Sequence, residues 1–225
     1  MGKSFIRKKA AKMLWNYRNY KKKQAFKKYG EETLRRTFKA FKDIDKTMWL
    51  DYGTLLGAVR DKDFIEYDAD LDVSTFIGDA DKVEKSMINN GLRKIREFEV
   101  DNKIVEQTYQ YNGSSIDIFY NTLEGDKVWA YAFYSNPTCD VTFDKTPTML
   151  TFRGWKTTKA TFTYKGFTKL NFKGCEFDVP ADTDLYLTEA YGNYKVRIKD
   201  YDSTTQSPNI EECESISPIG REYYY

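Results

Sequence analysis

The 225-residue sequence predicts an α/β (α+β) protein, one domain of mixed strands and helices behind a basic N-terminal helix. Three observations carry that prediction. "DADLDVSTF" (68–76) alternates with a period of two, placing Leu71 and Val73 on one face and Asp68, Asp70 and Asp72 on the other. "YNGS" (111–114) is a two-residue hairpin turn between strand-like runs. Helical periodicity appears at 31–47, where Leu34, Phe38, Phe41 and Ile44 share a face, and again at 181–194.

The elements follow in order. Residues 1–30 hold eleven of the 36 Lys and Arg and none of the 34 Asp and Glu, so the rest of the chain is acidic. Ile6, Ala10, Met13, Tyr17 and Tyr20 fall on one helical face, with Leu14 beside it. Residues 1–30 therefore read as a basic amphipathic helix. Two readings of it stand: docking on an anionic membrane surface through residues 1–29, or packing on the domain by the apolar stripe. Nucleic-acid binding is the weaker reading, because a lysine arm alone carries little. Ile6 stands where a myristoylation signal requires Ser or Thr, which rejects lipidation at Gly2.

The domain proper reads as residues 31–200, opening with the helix at 31–47. "MWLDY" (48–52) reads as a short buried strand, broken at Gly53. "TLLGAVR" (54–60) opens a helix directly after it. A strand, a Gly53-Thr54 turn and a helix N-terminus form an anion site, since free N–H groups and the helix dipole both face outward. After the acidic strand, Asp79 is placed to cap a helix over 80–90 that Gly91 ends. Strands follow at 92–100 and 103–111, then "SIDIFY" (115–120). Counting outward from Asn112-Gly113 sets Asp117 opposite Thr108. Residues 128–179 read as short strands and loops without a legible order. "FKGCEFDVP" (172–180) is a hairpin, and "ADTDLYLTEAYGNY" (181–194) a capped helix closed by Gly192. Residues 201–225 read as a polar tail, with "TTQSPN" as a loop.

Composition excludes several chemistries. The chain has no histidine. That removes Ser-His-Asp and Cys-His catalysis, His-ligated zinc and the commonest general base near neutral pH. Three cysteines far apart show no metal-ligand spacing and suit a reducing compartment. No apolar run approaches the about 18–20 residues of a membrane span. The basic N-terminus lacks the apolar core of a signal peptide. The expectation is a cytoplasmic protein, peripheral on the inner face of a membrane if its first helix docks there. The aromatic content of 16% reads mostly as core, with sugar or base stacking as a second use.

The ordered set is Gly53-Thr54, then Asp70-x-Asp72 on one strand, then Asp117 on another. Carboxylates at i and i+2 share a strand face and can bracket a cation. A third from a neighbouring strand completes an oxygen site for Mg²⁺ or Mn²⁺. The bland alternative is a solvated acidic sheet face.

"DYGTLLGAVR…FIEYDADLDVS" resembles the LicD/fukutin-type family, with its Gly-Thr-Leu-Leu-Gly-Ala-x-Arg segment ahead of an Asp-x-Asp strand. The similarity continues at "SIDIF" and returns at "FKGCEFDVPADTDLYLTEAYGNY", covering about residues 45–195. Ala69 interrupts the family's run of aspartates, Glu66-Tyr67 stands where Pro-Trp is usual, and Asp61 and Asp63 replace His/Lys-Gly types.

The resemblance implies a nucleotidyltransferase-like (polymerase-β-like) fold, a mixed sheet flanked by helices. It implies a Mg²⁺-dependent transferase that moves a phospho-alcohol such as phosphocholine from a CDP-linked donor, CDP-choline for example. The acceptor would be a hydroxyl of a cell-surface glycan or its lipid-linked precursor, as in lipopolysaccharide or capsule biosynthesis. On the matching positions, Asp70, Asp72 and Asp117 would be catalytic and hold metal, Asp117 alternatively taking the acceptor's proton. Gly53 and Thr54 would hold donor phosphate. Arg60 would balance phosphate charge or order its loop, and Tyr191 would contact donor or simply pack. Asp68 is an accessory group. Transfer of a nucleoside monophosphate from NTP, or a non-catalytic glycan- or membrane-binding module, are the competing functions.

Overall fold

The computed structural model describes residues 2–198, 201 and 206–225, with side chains of the first helix from residue 12 onward. That helix, α1, is a single 42-residue rod, Gly2–Asp43. Residue 30, where the basic segment is set apart from the domain, lies within this one helix. Gly30 packs its bare backbone against the Phe26 ring, where a Cβ would sit 3.2 Å from ring carbons, and the helix runs on through it. From Phe26 onward one side is buried through Phe26, Leu34, Ala40 and Phe41. The buried Thr33 and Thr37 hydroxyls donate one turn back to the carbonyls of Tyr29 and Thr33, so neither is left unpaired. Ala25 still packs beside the Gly113 turn and Lys22 still borders the body; ahead of Lys22 the helix leaves it. Met13, Tyr17 and Tyr20 are exposed, which overturns packing of the stripe on the domain at these positions. The side chains of Ile6 and Ala10 lie outside the described residues. No helix among the described residues is long and apolar enough to cross a membrane.

Thirteen strands join in one branched mixed sheet among the described residues. In chain order they are β1 (Trp49–Leu50), β2 (Asp70–Phe76), β3 (Arg93–Val100), β4 (Lys103–Tyr111), β5 (Ser114–Glu124), β6 (Lys127–Tyr134), β7 (Thr142–Lys145), β8 (Met149–Arg153), β9 (Lys156–Thr163), β10 (Phe167–Phe172), β11 (Cys175–Pro180), β12 (Ile210–Glu212) and β13 (Ile219–Tyr223). The main path runs β10-β11-β1-β2-β5-β4-β3-β13-β8-β7. Only β1–β11 and β2–β5 along it are parallel. β5 is long enough to serve two arms. Its first part pairs with β2 and β4, and Thr122–Glu124 pair with β6, which leads to β9 and β12.

Helices α2 (Tyr52–Leu56), α3 (Ala80–Asn89) and α4 (Thr183–Tyr191) complete the fold. A π-helical turn over Gly57–Asp61 continues α2 in place of the expected plain helix. The hairpin turn has positive φ at both Asn112 (48°) and Gly113 (88°), as a two-residue turn of this kind requires, and it sets Thr108 opposite Asp117. Asp182 caps α4 by accepting from the Leu185 N–H. Asp79 stands at the N-cap of α3 but does not cap it. Its backbone is left-handed and its carboxylate pairs with Lys82 and Lys46 instead.

The polar tail expected at 201–225 is in part sheet. β13 lies between β3 and β8, and β12 edges β9. Glu97 of β3 fastens β13: it accepts from Arg221 at 3.2 Å and from the Tyr223 hydroxyl at 2.7 Å, and pairs with Lys94 at 2.8 Å.

Leu71 and Val73 of β2 and Ile116 and Ile118 of β5 are fully buried in the core. Period-two alternation then commits Asp70, Asp72 and Asp117 to the other face.

Candidate active site

β2 and β5 run parallel with Asp72 paired to Asp117 and Asp70 to Ser115. Two carboxylates thus meet on neighbouring strands, with a third two residues along. The N-terminus of α2 closes over them. The Gly53 N–H donates to Asp72 Oδ2 at 3.1 Å, and Thr54 Oγ1 accepts from the Asp72 N–H at 2.8 Å. A Cβ on Gly53 would lie 3.0 Å from Asp68 Oδ2 and 3.1 Å from Asp72 Oδ2. Only glycine leaves that space between the two carboxylates free.

Beneath the turn, Asp51 ties four elements together. It caps α2 through the Tyr52 N–H and accepts from Ser74 Oγ of β2 at 2.6 Å. It also accepts from the Tyr186 hydroxyl of α4 at 3.0 Å. Burial, against the pull of these donors, pushes its carboxyl up to about 6. Tyr52, next along, is held at φ +40°, a costly conformation for a bulky residue. Its ring meets Phe119 edge-on at 4.8 Å and its buried hydroxyl has no hydrogen-bond partner among the described residues.

On the far side of Asp117, Thr108 Oγ1 donates to Asp117 Oδ1 at 2.5 Å, and the Arg96 guanidinium stands 3.5 Å from the same oxygen. Arg96 also pairs with the buried Glu106 at 2.9 Å. Burial opposes the Arg96 charge, yet Glu106 and Asp117 outweigh it and hold the guanidinium above its ordinary value. Burial, then Asp117, push Glu106 up to about 7 against Arg96.

These groups border two cavities. The larger, about 390 Å³, is walled by Tyr52, Phe119, Phe133, Tyr191 and Tyr194, with Gly53, Arg60, Asp68 and Asp72 on its floor and rim. The smaller, about 290 Å³, is lined by Lys22 of α1, Thr108, Ser115 and Glu222–Tyr224. Asp70, Arg96 and Asp117 line both.

Seven of the eight residues singled out in the sequence therefore line one cleft. Thr54 does not: it is buried beneath, with its hydroxyl accepting from β2. Gly53 lines the cleft, but its N–H is directed at Asp72 rather than left free for an anion. Arg60 gives its guanidinium to Asp61 in two 2.9 Å hydrogen bonds, and Arg197 joins the same carboxylate. Of its two expected roles, ordering the loop is the one these contacts display. Tyr191 lies in the wall against Tyr201.

The carboxylates strain against one another. Burial, then Asp70, raise Asp68 to about 7. Burial, then Asp117, raise Asp70 to about 6, although its surface opens to the cleft. Burial, with Asp70, Asp117 and Asp68, holds Asp72 well above the carboxylate range. An oxygen-only donor set under mutual repulsion, with space kept by Gly53, fits a hard cation such as Mg²⁺ or Mn²⁺. As the side chains stand, no three His, Cys, Asp or Glu among the described residues form a ready-made metal-holding group. Asp72 and Asp117 are instead held by Gly53 and Thr108.

Sequence reasoning missed Asp51, Tyr52, Arg96 and Glu106. Glu106 had a signal. It lies two residues from Thr108, so continuing the count outward from the hairpin turn puts it on the Asp117 face.

Paired aspartates on adjacent parallel strands, beneath a short glycine-bearing helix on a mixed sheet, define a nucleotidyltransferase-like domain. The family model described as LicD/FKTN/FKRP, nucleotidyltransferase domain, matches residues 45–182, and the chain belongs to that family. It is similar to the ribitol-5-phosphate transferase FKTN of Mus musculus, with 26% identity over 189 residues, and to that of Macaca fascicularis, with 26% over 192 residues. Each similarity covers 83% of this chain. The chain spans only 37% and 38% of those two proteins.

Proposed function

We propose that the protein transfers a phospho-alcohol, of the ribitol-phosphate or phosphocholine type, from a CDP-linked donor to a glycan hydroxyl, releasing CMP. The observation that carries this reading is the pair of cavities meeting at Asp70, Arg96 and Asp117. In-line phosphoryl transfer needs the leaving group and the attacking hydroxyl on opposite sides of one phosphorus. The larger, aromatic-walled cleft suits the donor, with rings for the base. The smaller, polar cavity suits the acceptor. The relatives' description as ribitol-5-phosphate transferases supports the phospho-alcohol over a nucleotide as the transferred group.

Asp70 and Asp72 would hold Mg²⁺ or Mn²⁺, with Asp68 beside them, and the bound ion would neutralise phosphate charge. The chain's own groups do the rest. Asp117, fixed by Thr108, orients the acceptor hydroxyl and takes its proton as the new P–O bond forms and the bond to CMP breaks. Arg96 faces the developing charge. Gly53 and Thr54 fix Asp72 in place. Three free cysteines suit a reducing, cytoplasmic setting.

The test is CMP release from CDP-ribitol, CDP-choline and CDP-glycerol with Mg²⁺, run beside pyrophosphate release from NTPs. CMP from one CDP-alcohol supports the reading. Pyrophosphate release alone reassigns the protein as a transferase of nucleoside monophosphate. Release of neither leaves a binding module.

A further inference from the structure

The outward face of α1 carries an apolar stripe flanked by lysines. Buried Phe26 and Gly30 mark the side of the helix against the body. At about 100° per residue, Met13, Tyr17 and Tyr20 fall about 100–160° round the helix from that side. They are 66%, 56% and 60% exposed. Lys21 and Lys28 flank the stripe on one side and Lys27 on the other, while Lys23 turns toward the body, where its charge acts on Asp68. Exposed Leu14 lies just beyond the Lys21–Lys28 row, and exposed Trp15 falls on the Phe26 side, away from the stripe. Residues 12–30 contain no carboxylate, and among the described residues none of these lysines makes an ion pair.

We propose that residues 12–28 of α1 dock the protein on an anionic lipid surface. An outward apolar stripe has nothing to gain in water. Tyr and Trp settle where headgroups meet acyl chains, and lysines flanking the stripe reach anionic headgroups. A second copy of the chain fits poorly, because its own lysine rows would face these. A nucleic acid answers the lysines but gives the Met13–Tyr20 stripe no apolar partner. The opposite side of the same helix presents Lys22 to the cavity that holds Asp70 and Asp117. Docking therefore leaves the acidic cluster on the far side of the same helix from the headgroups. An acceptor carried by a lipid would meet the cleft there. The docking itself does not depend on the transfer reaction.

The full chain is sedimented with phosphatidylcholine vesicles, with and without about 30% phosphatidylglycerol. Binding is expected only to the anionic vesicles and should fall with salt. It should weaken about ten-fold or more in Met13→Ser/Tyr17→Ser/Tyr20→Ser, and likewise in Lys21→Gln/Lys27→Gln/Lys28→Gln. CMP release from a soluble donor should be unchanged in the stripe variant, which keeps docking and catalysis separately testable. No binding to anionic vesicles, or equal binding by both variants, overturns the proposal. So does a dimer that the stripe substitutions dissolve.

Discussion

Asp72 and Asp117 are direct partners across the parallel β2–β5 pair, and both turn their carboxylates away from the core that Leu71 and Ile118 build. Like charges placed side by side destabilise a sheet. A cation is the physical answer. Adding Mg²⁺ or Mn²⁺ should raise the melting temperature of the wild-type chain, because an ion that binds only the folded state stabilises it. Asp72→Asn should abolish that rise and cut CMP release by about 100-fold or more, without lowering the melting temperature in metal-free buffer. Calorimetry with and without the ion checks both halves.

Thr54 acts through Asp72. Thr54→Val removes the acceptor from a buried N–H and should cost about 1–3 kcal/mol of stability. CMP release should fall through kcat, with donor KM nearly unchanged, because the donor does not touch Thr54. Thr54→Ser keeps the oxygen and should restore most of the rate. Urea melts and steady-state kinetics on the three chains decide this.

Arg96 and Glu106 are a buried pair at the edge of the site. Arg96→Met alone strands the Glu106 carboxylate and should cost about 3–5 kcal/mol. Adding Glu106→Leu should return most of that stability, since an apolar pair of similar volume replaces the ions. The double variant should remain impaired in CMP release, because Arg96 also faces Asp117. Regained activity in the double variant would make Arg96 purely structural.

Glu97 gives a pH signature away from the cleft. Burial alone would raise its carboxyl, but hydrogen bonds from Lys94 and Tyr223 outweigh it and hold it below its ordinary 4.5. A depressed carboxylate contributes stability above the unfolded value and loses it as pH falls through the folded one. Glu97→Gln should therefore be destabilised at pH 7 by about 1.5–3 kcal/mol. Its deficit against wild type should shrink as pH falls below 4.5, read from urea midpoints across the acid range.

The acidic strand was legible because one rule, period two, assigns both its faces at once. Leu71 and Val73 fix the core side, and the aspartates have nowhere else to go. The Asn112-Gly113 turn then carried Asp117 to Thr108 by counting. The same count fails across β3–β4, where the register shifts between Lys94 and Arg96 and again between Phe98 and Glu99. Arg96 was thus beyond reach of arithmetic. Asp51 was hidden differently. It looked like the end of a strand, but β1 is two residues long and Asp51 already belongs to the cap of α2. The strands of 128–179 and the C-terminal pair are set by partners far away in sequence, which no local pattern announces.

The position of β13 between β3 and β8 also dictates an order of assembly. Until residues 219–223 have been synthesised, β3 keeps a bare edge, and the β7–β8 hairpin has no strand linking it to the sheet. The interior of the sheet is complete only once residues 219–223 have emerged and paired. A nascent chain stalled short of them would display open strand edges, the template on which other chains aggregate.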